Sequence, residues 1–148
     1  MLVYFSGSAR EIERDIEVYR AIVGAIQTSG GNLVHNWIEA ASFRRHTSKD
    51  ASWWQEVHHE VEVALKSVDY VVIEATGQSV LGVGYEMAQA LSYNKPVLAL
   101  VRKDTQNSYV VGLKHQLLQV VYYTQEELEG IIDSFLRERD TMRSAVEA

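Results

Sequence analysis

The chain has 148 residues, enough to bury one proper core and too few to suggest a second domain. Hydrophobic residues make up 47% and charged residues 23%, an ordinary globular balance, and a formal net charge of -6 argues against broad binding to nucleic-acid polymers while leaving a local phosphate site open. The absence of cysteine excludes a disulfide frame and a thiolate metal site. With no signal-like N-terminal segment and no apolar run near the ~20 residues of a membrane span, the expectation is one cytoplasmic domain over residues 1–148 with no membrane partner.

Strand and helix patterns alternate from end to end. Leu2 to Ser6 reads as a first strand, and Ile12, Ile16, Tyr19, Val23 and Ile26 then recur at helical spacing until Ser29-Gly30-Gly31 stops the helix. Asn32 to Ile38 reads as a second strand. Ala41 to Lys49 is polar and is expected to be a mobile loop; Ser48 or Asp50 then caps a helix that carries Trp54, Val57, Val61, Leu65 and Val68 on one stripe and ends near Ser67.

Tyr70-Val71-Val72-Ile73 is β-branched and continuously apolar, as in a strand buried on both faces of a parallel sheet. After it, Met87, Ala88, Ala90 and Leu91 are apolar at helical spacing. Gly82 and Gly84 are expected where the strand turns into that helix, without side chains that would keep a ligand's ring from the backbone. Glu86 is then expected in the first helical turn, where the positive end of the dipole favours the ionised carboxylate that a nucleophile needs.

Pro96 to Val101 is a fourth strand and Lys103 to Ser108 a second polar loop. A short helix near Tyr109 to Gln116 leads to a fifth strand, Leu118 to Tyr122. Thr124 with Glu127 makes a capping box for a last helix that buries Leu128, Ile131, Ile132, Phe135 and Leu136.

This order predicts an α/β fold: a flavodoxin/Rossmann-like open five-stranded parallel sheet with helices on both faces. Ligands of such sheets bind beyond the carboxyl ends of the strands, near the switch in strand order. The loops Gly7 to Arg10, Thr76 to Gly84 and Lys103 to Ser108 lie there. In the first, Gly7 allows a tight turn, and Ser8 and Arg10 offer donors beside a helix start; this is an anion seat or an ordinary turn.

Tyr4-Phe5-Ser6-Gly7-Ser8-Ala9-Arg10, Asp69 to Glu74, Ser79 with Gly82-Val83-Gly84-Tyr85-Glu86, and Lys95 to Leu100 together resemble the nucleoside 2-deoxyribosyltransferase superfamily. The likeness is to its branch of 2'-deoxynucleoside 5'-monophosphate N-hydrolases, the Rcl type, and it covers about the first two-thirds of the chain. It implies that Glu86 attacks the anomeric carbon of a nucleoside 5'-monophosphate, that Tyr4 orients Glu86, and that Ser8, Arg10 and Ser79 hold the phosphate. It also implies a homodimer that completes the phosphate site with a serine from the neighbouring subunit. Ser108 is near that position and out of register. No cofactor and no metal are implied.

The chain departs from the family's pattern at two further places. The Asp that the family carries on the helix before the third strand, where it helps the departing base take a proton, aligns with Val61; His58 or Glu62 is the candidate substitute. One extra residue lies between Ser79 and Gly82. Several other residues carry two readings. Trp53 and Trp54 stack on a base, or Trp54 joins the core and Trp53 a dimer interface; His35, Asn36 and Trp37 recognise a base or pack. Arg44, Arg45, His46 and Lys49 close over a nucleotide or form solvated surface. Two function classes follow: an enzyme that hydrolyses or transfers across the N-glycosidic bond, and a nucleotide-binding or sensing module that has lost efficient chemistry.

Overall fold

The computed structural model describes residues 1–39, 50–76, 81–105 and 108–148, without the side chains of residues 108 and 109. Five strands, β1 (Leu2–Ser6), β2 (Asn32–Leu33), β3 (Tyr70–Glu74), β4 (Val97–Arg102) and β5 (Leu118–Tyr123), pair in parallel in the order β2-β1-β3-β4-β5. This is the flavodoxin-like order expected. The described helices are α1 (Ile12–Thr28), α2 (Ala51–Ser67), α3 (Leu81–Ser92), α4 (Ser108–Val111) and α5 (Leu128–Glu147).

Successive strand residues point to opposite faces, so each strand feeds two cores. Val3, Phe5, Val72, Leu98 and Leu100 pack with α1 and α5, through residues such as Tyr19, Ile26, Ile132 and Phe135. Tyr4, Val71, Ile73, Ala99 and Val101 pack on the other face with α2 and α3, against Val61, Leu65, Val83 and Met87. Every residue of β3 is buried, which is the physical meaning of its unbroken apolar run.

Two element boundaries differ from the sequence pattern. The second strand is only Asn32–Leu33, because His35 adopts a left-handed backbone (φ 56°) that cannot continue a ladder, and residues 37–39 are helical. The helix expected near Tyr109 to Gln116 is Ser108–Val111, with a turn at Gly112. The caps follow the sequence. Asp50 accepts from the Trp53 N–H at 2.9 Å at the start of α2, and Thr124 and Glu127 form both bonds of a capping box before α5. Ser48 and the basic stretch Arg44, Arg45, His46 and Lys49 lie outside the described residues.

Candidate active site

Helical periodicity carries the site's carboxylate inward. Val83, Met87 and Ala90 of α3 are buried against the sheet, and Glu86, three residues after Val83 and four before Ala90, shares their face. Tyr4 of β1 points to the same side, and its Oη donates to Glu86 Oε2 at 3.1 Å across 82 positions of sequence. Because α3 begins at Leu81, Glu86 stands in the second turn, not the first as expected, and the dipole weakens beyond the first turn. Burial instead pushes the Glu86 carboxyl above its ordinary range, against the opposing pull of Ser6, Tyr4 and the charge of His58. Burial first, and then the neighbouring carboxylate, raise the Tyr4 phenol well above its ordinary value, so it stays a proton donor.

Ser6, which is not on the cleft wall, stands beside this pair. It is two residues after Tyr4 and so on the same face; its hydroxyl is buried, makes no hydrogen bond of ordinary geometry, and acts on Glu86. Its sequence signal was the period-2 alternation of β1, which pairs Tyr4 with Ser6.

The segment after β1 runs over a buried aromatic ring. A Cβ on Gly7 would lie 3.0 Å from Tyr19 Cζ and 3.3 Å from Phe5 Cζ, so only glycine lets the chain cross so close. Tyr19 Oη then donates to the Ser8 carbonyl at 3.1 Å. Gly7, Ser8 and Arg10 thereby form one wall of a cleft of about 600 Å³, within the range of small-molecule sites.

Tyr4 and Glu86 open onto this cleft, and α2 supplies the opposite wall with Val57, His58, Glu60 and Val61. His58 therefore reaches the site, whereas Glu62 is bound to Lys66 Nζ at 2.7 Å and to Tyr93 Oη at 3.2 Å, outside it. Val61 is 7% exposed and faces inward, as its place on the stripe predicts. Trp54 departs from that stripe. It is 45% exposed, belongs to neither core cluster, and lines the cleft with Trp53.

Trp37 packs, stacking on Phe5 at 6.0 Å and donating from Nε1 to the Phe5 carbonyl at 2.7 Å, and it lines the cleft as well. Gly82 also lines it. Both Gly82 and Gly84 are ordinary helical residues of α3 rather than turn residues, and Gly84 is not on the cleft wall. Ser79 lies outside the described residues, as does the side chain of Ser108. Among the described residues, no three histidine or acidic side chains stand together as metal ligands.

Behind the site, on the α1 face, lies a buried charge chain. Arg102 Nη2 is 2.8 Å from Asp15 Oδ1, a charge contact not aligned as a hydrogen bond, and Arg102 Nε is 3.9 Å from Glu74 Oε1. Tyr123 Oη donates to Glu74 Oε1 at 3.0 Å. Burial opposes the ionisation of both acids. For Asp15, Arg14 and Arg102 outweigh it and hold the carboxyl below its ordinary value; for Glu74, burial wins and the carboxyl is raised.

No family model matches the chain. Among curated relatives, it is 31% identical to the 5-hydroxymethyl-dUMP N-hydrolase of Mus musculus over 138 residues, covering 90% of this chain and 78% of that one. It is 28% identical to the 5-hydroxymethyl-dUMP N-hydrolase of Danio rerio (91% of this chain, 95% of that one). It is 31% identical to the putative 2'-deoxynucleoside 5'-phosphate N-hydrolase 1 of Methanosarcina mazei (91% and 83%). The fold is shared with a Clostridium botulinum CMP N-glycosidase, at a TM-score of 0.58 and 15% identity over 90% of this chain and 99% of that one.

Proposed function

Because the chain belongs to the family of nucleoside 5'-phosphate N-hydrolases, we propose that it hydrolyses the base–sugar bond of (deoxy)nucleoside 5'-monophosphates through a glycosyl-enzyme formed on Glu86. The observation that carries the reading is the Tyr4–Glu86 hydrogen bond of 3.1 Å, in a cleft whose other wall is the Gly7–Arg10 segment. Arg10 and the Ser8 hydroxyl suit a 5'-phosphate, and holding that remote group fixes C1' before the Glu86 carboxylate.

In the first step a Glu86 oxygen bonds to C1' as the C1'–N bond breaks. The base leaves with the bonding pair and takes a proton, from His58 in place of the carboxylate that Val61 does not supply. In the second step water attacks C1', the bond from C1' to Glu86 breaks, and the proton lost by water restores His58. The nearby anion stabilises the oxocarbenium-like transition state of each step. Ser79 adds to the phosphate site, and Ser108 of a second copy completes it in a cytoplasmic homodimer.

Val61 also supports a second reading, a nucleotide-binding module without turnover. Incubating the protein with ribo- and deoxyribonucleoside 5'-monophosphates and measuring free base separates the two. The expected result is base release that falls at least ~10³-fold in Glu86→Ala while nucleotide binding persists. Binding without any release supports the module, and undiminished release by Glu86→Ala removes Glu86 from the mechanism. A second free base added to the reaction gives an exchanged nucleotide only if the enzyme is a transferase.

A further inference from the structure

The part of the α2 wall beyond His58 has no task in this mechanism. There His35, in the segment after β2, and Glu60 of α2 face each other with Nε2 and Oε2 3.9 Å apart. At that distance neither satisfies the other's hydrogen-bonding capacity, and among the described residues Glu60 has no other partner. The other carboxylates nearby are held: Glu62 by Lys66 and Tyr93, Glu86 by Tyr4.

The backbone singles out one member of the pair, His35. Among the described residues only His35 and Asn94 are non-glycine residues with a left-handed backbone. Asn94 follows the end of α3, where the Lys95 N–H returns to the Ala90 carbonyl at 2.9 Å, a common helix-closing use of that conformation. His35 closes no helix. Its conformation turns the chain out of β2 and sets the ring on the cleft wall, and uncommon backbone conformations of this kind gather at ligand sites.

If C1' lies at Glu86 and the 5'-phosphate at Ser8 and Arg10, the base is left with the wall of α2 and the segment after β2. We infer that Glu60, with His35 facing it, reads the base there and favours bases with an exocyclic amino group (cytosine, adenine, guanine) over those of the uracil and thymine type. An ionised carboxylate only accepts hydrogen bonds. An amino group meets it with a donor, and acidic side chains are known to accept from cytosine N4. The uracil edge instead flanks its single N–H with two carbonyl oxygens, which repel a carboxylate. This inference rests on the N-hydrolase reading, and it separates the chain from relatives whose names specify 5-hydroxymethyl-dUMP.

The pair dCMP and dUMP tests it, since they share sugar and phosphate and differ only along one pyrimidine edge, an amino group beside a ring acceptor against a carbonyl beside an N–H. Both kcat/KM for base release and Kd are measured for the wild type, Glu60→Gln, Glu60→Asp and His35→Asn, each first checked for folding by thermal melting. The expected wild-type preference for dCMP is at least ~10-fold, falling to about parity in Glu60→Gln, which can donate to a carbonyl, and keeping its direction in Glu60→Asp. His35→Asn, which tolerates the same backbone, narrows the preference.

A Glu60→Gln protein with the wild-type ratio, or with equal losses on both nucleotides, overturns the inference. If no nucleotide releases base, the hydrolase reading fails, and the Kd ratio decides base reading by the same ~10-fold criterion.

Discussion

Glu86 sits under opposing demands. The nucleophile must be ionised, and burial favours its neutral form. A raised carboxyl pKa means that the folded state binds the proton more tightly than the unfolded chain does. Its contribution to stability is therefore complete below the unfolded value and is lost as pH rises through the folded one. Glu86→Gln is accordingly expected to melt at a higher temperature than wild type at pH 7, with the difference shrinking toward pH 4, while base release is lost; thermal melts across that range check it. Tyr4→Phe removes one of the groups that lower the Glu86 pKa. Its kcat/KM profile is expected to shift its acid limb upward by about one pH unit, with the fold intact.

At the scale of elements, the Gly7–Arg10 segment depends on α1. Tyr19 lies under Gly7 and binds the Ser8 carbonyl, so the core of one sheet face shapes a wall of the site on the other. Tyr19→Phe is expected to raise KM for a nucleoside 5'-monophosphate about 3–10-fold, the effect of roughly one hydrogen bond, with kcat little changed and no effect on nucleosides that lack the phosphate. Steady-state kinetics on both substrate types check this. Gly7→Ala is expected to cost about 1–3 kcal/mol of stability, because neither aromatic ring can yield.

Element periodicity was legible in the sequence: Val61, Leu65, Met87 and Ala90 are buried where their spacing says, while Ala88 is exposed. Trp54 did not follow its stripe, since spacing gives a direction and not what lies opposite. The second strand ended early because a left-handed histidine leaves no mark in an apolar-polar pattern.

Across the whole molecule, Arg102 joins three elements. It ends β4, contacts Asp15 of α1, and lies beside Glu74 at the end of β3. Arg102→Met removes the cation beside Glu74 and one of the two beside Asp15, which keeps Arg14, and the expected loss is about 1–3 kcal/mol at pH 7, read from chemical denaturation. Because Asp15 has a lowered pKa, its part of that stability is present above the unfolded value and disappears in wild type as pH falls through the folded one. The gap between the two proteins should therefore narrow in acid.

The sequence by itself determined the alternation of strands and helices, the strand buried on both faces, the caps, and the Gly-Val-Gly-Tyr-Glu element with the Tyr-Phe-Ser-Gly-Ser start that mark the family. All of these are written within short windows, where period and turn chemistry act locally. The family resemblance already paired Tyr4 with Glu86; only the tertiary structure decided that Ser6 lies on the same face as Tyr4 beside Glu86, that Glu60 rather than Glu62 faces the cleft, and that burial rather than a helix dipole governs the Glu86 carboxyl. Those pairings span tens of residues. The order of strands in the sheet and the packing of α2 and α3 on one face create them, and neither is encoded in the spacing of any one segment.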